Sequence, residues 1–161
     1  MPTIFPHMCG CNGGHGASRL CPPYELRTAA MQVIDPRDIP HEQWRPGTET
    51  SMRVSAINGA AQLCIFEQWI APGGGAPTHS HPVEEVLTVL AGEAEVWLDD
   101  MSAIVTAGQS LIVPAGRHHG FRNSGNATLH LHAVLASAVF DAMPEGETEM
   151  VRRWVEPHPA R

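Results

Sequence analysis

From residue 61 onward, short runs rich in apolar residues, some alternating with polar ones, recur at regular intervals, separated by glycine, proline, aspartate or asparagine. The runs are A-Q-L-C-I-F-E-Q-W-I (61–70), T-H-S-H (78–81), E-E-V-L-T-V-L-A (84–91), E-A-E-V-W-L (93–98), S-A-I-V-T-A (102–107), S-L-I-V-P-A (110–115), H-H-G-F-R-N (118–123) and T-L-H-L-H-A-V-L-A-S (128–137). A period of two is that of a strand, whose successive side chains point to opposite faces. Several short strands at a spacing of about 8 to 12 residues predict an all-β sandwich or barrel.

Upstream, S-M-R-V-S-A-I (51–57) alternates as a strand, and Asn58-Gly59 is a hairpin signal that pairs it antiparallel with 61–70. L-R-T-A-A-M-Q-V-I (26–34) suits a first strand or a short helix, D-P-R-D-I-P (35–40) is a turn cluster, and H-E-Q-W-R-P before Gly47 predicts a single helical turn. A-P-G-G-G-A-P (71–77) reads as a loop, and T-E-M-V-R-R-W-V near the end as a strand or short helix. Trp154 in that segment would pack on the barrel or on a second subunit.

Composition narrows the classes. The chain has 161 residues, 43% of them hydrophobic, which suits one domain with its own core, and no apolar run approaches the length of a membrane helix. With a formal charge of −7, neither nucleic acid nor an anionic membrane surface is an expected partner. All ten basic residues are arginine, so lysine Schiff-base chemistry and lysine-bearing phosphate loops are excluded. The N-terminus lacks the basic start and apolar stretch of a secretory signal, making the cytoplasm the expected compartment. Cys9, Cys11 and Cys21 share a Gly-rich arm with His15; the spacing matches no zinc pattern, and an irregular extension is the simpler reading. Cys64 falls in an apolar strand and reads as a small buried hydrophobe.

The chemistry concentrates in two stretches, 73–92 and 108–123. In an extended chain His79 and His81 project to the same side, their Cα atoms roughly 6.7 Å apart. Pro82 favours that extended geometry before it. Glu85 enters the next strand, where its carboxylate can return to the same face, and His119 arrives from a distant strand, as the interior of a barrel allows. Three imidazoles and a carboxylate suit one divalent transition metal, Fe, Mn, Ni, Co, Cu or Zn. His118, next to His119, points the other way.

Every position of two motifs is filled: Gly73, His79, His81, Glu85 and Gly92, then, after fifteen intervening residues, Gly108, Pro114, Gly116, His119 and Asn123. In these the sequence resembles the cupin superfamily over about residues 50–137. The resemblance implies a small double-stranded β-helix, or jelly roll, with His79, His81, Glu85 and His119 as metal ligands at one end. It divides the chain into an arm (1–23), an N-terminal strand and turn segment (24–49), the cupin barrel (50–137) and a C-terminal extension (138–161). It also implies a homodimer formed through sheet edges and terminal segments.

For function, the expectation is a metal-dependent enzyme, of dioxygenase type, acting on a small chelating or aromatic substrate, with Glu85 doubling as a proton acceptor. The glutamate-containing motif is more similar to quercetinase-type and acireductone-type cupins than to thiol dioxygenases. The alternatives are an isomerase, decarboxylase or lyase, or a non-catalytic module that binds a small molecule or metal. Candidate pocket residues are Glu67, Trp69, Phe121, His130 and His132. Either Glu67 and Trp69 or Phe66, Gln68 and Ile70 must border the pocket, and His130 and His132 face it only if Leu129 and Leu131 do not. Arg53 would meet an anionic substrate or form a surface salt bridge, and Tyr24, the sole tyrosine, lies outside the motifs.

Overall fold

A computed structural model of the protein describes residues 31–155. Its strands are β1 (Glu42–Arg45), β2 (Thr48–Val54), β3 (Cys64–Ile70), β4 (Gly75–Ser80), β5 (Glu85–Ala91), β6 (Glu93–Leu98), β7 (Met101–Thr106), β8 (Ser110–Val113), β9 (His119–Asn123), β10 (Leu129–Leu135), β11 (Phe140–Pro144) and β12 (Val151–Arg153). They form two six-stranded sheets, ordered β1-β2-β3-β10-β5-β8 and β12-β11-β4-β9-β6-β7. All belong to the unit that begins at Val33. The expected all-β jelly roll is what the chain forms. Among the described residues, no helix is long and apolar enough to cross a membrane.

The alternating runs build the core directly. Along β3, Cys64, Phe66, Gln68 and Ile70 are buried, and along β10, Leu129, Leu131, Ala133 and Leu135 are buried. The register sets Leu131 opposite Gln68 and Val89, and Ala133 opposite Phe66 and Leu87, so one row of inward side chains spans three strands. Full burial of each leucine contributes about 1.5–3 kcal/mol. Phe121, Val96, Ala94 and Val105 from the second sheet complete the interior.

The flanks add to both sheets. H-E-Q-W-R-P does not form a helical turn but supplies β1, which pairs with β2 across a reversal at Gly47, φ 72°. The pairing satisfies backbone groups that an isolated turn would leave open. The Asn58-Gly59 signal also acts differently from a two-residue hairpin. Ser55 caps a 3-10 turn over Ala56–Asn58, Asn58 Oδ1 accepts the Ser55 N–H at 2.8 Å, and Gly59 ends the turn at φ 93°. The partner strand therefore starts at Cys64, and β2 and β3 do pair antiparallel. Residues 31–34 have no regular structure, while residues 26–30, Tyr24 and the arm with Cys9, Cys11, His15 and Cys21 lie outside the described residues.

Trp154 is buried on the barrel itself. It joins Trp44, Phe66 and Phe140 in a four-ring cluster with centroids 5.0–5.8 Å apart. Glu42 accepts both indole N–H groups, from Trp44 at 3.1 Å and Trp154 at 3.2 Å. One carboxylate thus ties the first strand to the end of the described chain.

The G-G-G-A-P stretch is only partly a loop, because β4 begins at Gly75 and pairs there with Arg122 of β9. A Cβ on Gly75 would collide with the Phe121 carbonyl oxygen. Forcing an extra methyl into such a contact costs about 1–3 kcal/mol. Gly75→Ala is therefore expected to lower the midpoint of thermal unfolding by several degrees, followed by circular dichroism; an unchanged midpoint would show that the two strands can part without cost.

Candidate metal centre

A break in register aims the first two histidines. The pairing of β4 with β9 shifts between Ala76 and His79. Residues three apart would ordinarily face opposite sides of a strand, yet Ala76 and His79 both line the same cavity. The extra residue of the bulge restores them to one face. His81, two residues on, follows His79 inward and is buried. Glu85 stands at the first position of β5 and His119 at the first position of β9, so the two sheets deliver the four side chains to one point. The loop before His119 is held by Asp99, which accepts from the Arg117 guanidinium and, at 3.1 Å, from the His118 N–H. The His118 ring itself is exposed.

One atom from each of His79, His81, Glu85 and His119 lies within 4.8 Å of all the others. His79 Nε2 is 3.1 Å from His81 Nε2, and Glu85 Oε2 is 2.9 Å from His119 Nε2 and 3.6 Å from His81 Nε2. The opposite edge of each ring meets a backbone carbonyl: His79 Nδ1 that of Pro77 at 2.8 Å, His81 Nδ1 that of Asp141 at 2.5 Å, and His119 Nδ1 that of Arg117 at 3.1 Å. A carbonyl only accepts, so each Nδ1 carries the proton and donates it. In their neutral form the rings then turn bare Nε2 lone pairs toward one another and toward a carboxylate, whereas a protonated His119 donates its Nε2–H to Glu85. Acceptors facing acceptors at these distances repel unless a cation lies among them.

The electrostatics agree. Burial first, then the charges of His119 and His81, push the His79 ring down to about 4, so it is neutral near pH 7. Burial of Glu85 works against its ionised form, but in the protonated state of the cluster the Nε2–H of His119 donating to it and the positive charge of the imidazoles outweigh that burial and hold the carboxyl below its ordinary value. Neutral imidazoles with one carboxylate are a donor set for a divalent transition metal, and the Nδ1–carbonyl bonds are the outer support that orients such ligands.

The cluster opens on a narrow cavity walled by Phe66, Leu87, Phe121, Leu131 and Phe140, with Gln68 and Arg45 as its other polar groups. Gln68 is fixed by donating to Thr50 Oγ1 at 2.9 Å. Of the pocket residues expected from sequence, Phe121 is in place. Glu67, Trp69, His130 and His132 are not, because the apolar members of β3 and β10 turn inward and leave them on the outer face of the sheet. There Glu67 Oε2 meets His130 Nε2 at 2.7 Å, Arg53 pairs with Glu67 rather than a substrate, and Trp69 stacks between His41 and His130 at 4.6 and 4.7 Å. Sequence reasoning missed Trp44, Arg45 and Phe140, which lie outside both motifs. It missed the Asp141 carbonyl entirely, since a backbone oxygen leaves no mark on residue type.

A family profile described as a cupin domain matches residues 66–135. Protein SchB from Streptomyces halstedii is 33% identical over 95 residues, covering 58% of this chain and 69% of that protein. Polyketide synthase CurC from Streptomyces cyaneus is 33% identical over 100 residues, covering 59% of this chain and 62% of that protein. Among solved structures, the polyketide cyclase RemF from Streptomyces resistomycificus superimposes with a TM-score of 0.62 at 24% identity, covering 74% of this chain and 89% of RemF. The two filled motifs, the paired six-stranded sheets and these likenesses converge: the chain belongs to the cupin superfamily.

Proposed function

We propose that the chain is a metal-dependent enzyme acting on a small enolisable substrate with adjacent oxygens, such as a 1,3-dicarbonyl or polyketide-like compound. The observation that carries this reading is the set of bare Nε2 and carboxylate acceptors at the floor of an aromatic-walled cavity. A divalent ion held by His79, His81, Glu85 and His119 would supply positive charge for the oxygens of an enolate. Both imidazole contacts of Glu85 use Oε2, so its other oxygen is available to take the proton between two carbonyls. The phenyl walls exclude water and hold a flat substrate against the cluster. Relatives named for polyketide synthesis and cyclisation support the substrate class and favour a non-oxidative ring closure.

The second reading is the dioxygenase type, favoured by a donor set that accepts redox-active Fe, Mn, Ni or Cu. Elemental analysis of protein purified without added metal, with O2 uptake and product analysis on a panel of 1,3-diketones, catechols and flavonols, separates the two. Substrate turnover under nitrogen supports ring closure or another non-oxidative step; uptake stoichiometric with substrate supports oxygenation; neither, on any substrate, sinks the enzyme reading in favour of a binding module.

Replacing His81 with alanine is expected to weaken metal binding by more than the roughly 10–100-fold that loss of an outer hydrogen-bond partner costs. Full occupancy in His81→Ala, by elemental analysis, would show the ligand set to be wrong. We further propose a homodimer. Its support is a row of β-branched aliphatics, Val54, Ile65, Val134, Val86 and Ile112, in direct register across five strands of the outer face. Size-exclusion chromatography with light scattering checks it, and Ile112→Glu is expected to shift the mass toward the monomer.

Proton linkage gives a further test on the metal-free protein. His79 has its folded value, about 4, below the ordinary 6.5, so the unfolded chain binds more protons between them. The neutral ring contributes stability above about pH 6.5 that is lost as pH falls toward 4, on the order of 3 kcal/mol for that shift. Glu85, also held below its ordinary value, acts in the same sense. Chemical denaturation across this window is expected to show the fall, and His79→Gln to flatten it.

A further inference from the structure

Beside the inner cavity lies a second, roomier one of about 170 Å³, the outer part of the site, and the two share Trp44, Arg45, His79 and Phe140. The two cavities therefore adjoin at these four residues, with His79 bordering both. Arg153 stands at the outer part with Val151 and Ala142, and Arg45 lines both parts.

We propose that Arg45 and Arg153 form an anion clamp at the mouth of this site, which takes the carboxylate of an aromatic or conjugated acid and leaves the other end of that molecule against His79 and Glu85. The proposal rests on reading the cavity as the substrate site and adds the substrate's charge and orientation.

The partners of the two guanidiniums are the first argument. Arg45 is half-buried, and one of its N–H groups donates to the Gly75 carbonyl at 2.7 Å. Among the described residues no carboxylate pairs with it. Arg153 lies 4.5 Å over the Trp44 ring and has only Glu42, at 3.9 Å. Glu42 already accepts from the indoles of Trp44 and Trp154. Of the two cations only Arg153 has a carboxylate near it among the described residues, and at a long distance, in a chain whose overall charge is −7. Burial, and then the charge of Arg153, lower the basicity of Arg45, and a bound anion would offset the repulsion between the two guanidiniums. A guanidinium presents paired N–H groups that match a carboxylate edge to edge.

Direction comes from the opposite sign at the far end. Glu85 lines the inner cavity, so in the metal-free protein a carboxylate is repelled there and attracted by the guanidiniums at the mouth. Between the two charges the walls are Trp44, Phe140, Phe66 and Phe121, which suit a flat unsaturated body rather than a sugar or a peptide.

The test uses metal-free protein, so that a carboxylate cannot be held by a metal. Binding of 1-naphthoate and of its uncharged isostere 1-naphthamide is measured by calorimetry. Wild type is expected to prefer the naphthoate by roughly tenfold or more, the increment of one charge-assisted pair. Arg153→Gln and Arg45→Gln are each expected to lose most of that preference while binding of the amide stays within about twofold. Arg45→Gln also removes the bond to Gly75 and can disturb β1, so Arg153→Gln, which breaks no such bond, decides the matter if the first variant does not fold. Equal binding of acid and amide by wild type, failure of wild type to bind either, or an unchanged preference in Arg153→Gln would overturn the clamp. Metal content is determined in parallel on the same proteins. Normal metal loading without acid preference sinks the clamp alone, whereas an arginine-dependent preference in a protein that takes up no metal sinks the metal reading alone.

Discussion

Everything at the centre of this protein depends on three hydrogen bonds that involve no other side chain. The carbonyls of Pro77, Asp141 and Arg117 each take the Nδ1 proton of one histidine. In the neutral rings that tautomer fixes where the lone pairs point and turns acceptors toward the centre of the cluster. Two of the carbonyls lie two residues before the histidine they hold, so strand geometry alone delivers them. The third comes from β11, sixty residues away in sequence, and the two-sheet closure of the barrel is what brings it to His81.

The bulge in β4 and the glycine at its start serve the same end. An uninterrupted strand would place Ala76 and His79 on opposite faces, and the cavity would lose either its wall or its first imidazole. Gly75 lets the bulged strand approach β9 closely enough for the pairing to resume at His79 with His119. The inner faces of β3 and β10 respond by packing leucine, phenylalanine and a single anchored glutamine around the acceptors. Polar residues of the same strands gather on the outer face, where Glu67, His130 and Arg53 satisfy one another.

Much of this was legible in the residues. Period-two alternation located β5, β6, β8 and β10, since each buries mainly one face and the pattern survives in residue type. The cluster was legible because its members are chemically distinctive and sit at strand starts beside glycine and proline. Less visible were features that depend on pairing partners. Four residues around Trp44 carry no strand signal of their own and become β1 only by lying against β2. The orientation of His130 and His132 was undecided because both alternations in β10 are consistent with a strand; the greater burial of leucine settles it in the fold. Arg45 and the Asp141 carbonyl gain meaning only from neighbours distant in the chain.

The β11 carbonyl and the Trp154 ring also bear on the order in which the molecule is made. Translation delivers His79, His81, Glu85 and His119 well before Asp141 and Trp154 leave the ribosome. A nascent chain ending near residue 135 already carries all four acceptors and the whole span that matches the cupin profile. It still lacks the oxygen that orients His81 and the indole that helps close the aromatic wall. The pocket is therefore complete only once the last strands have been made and have docked.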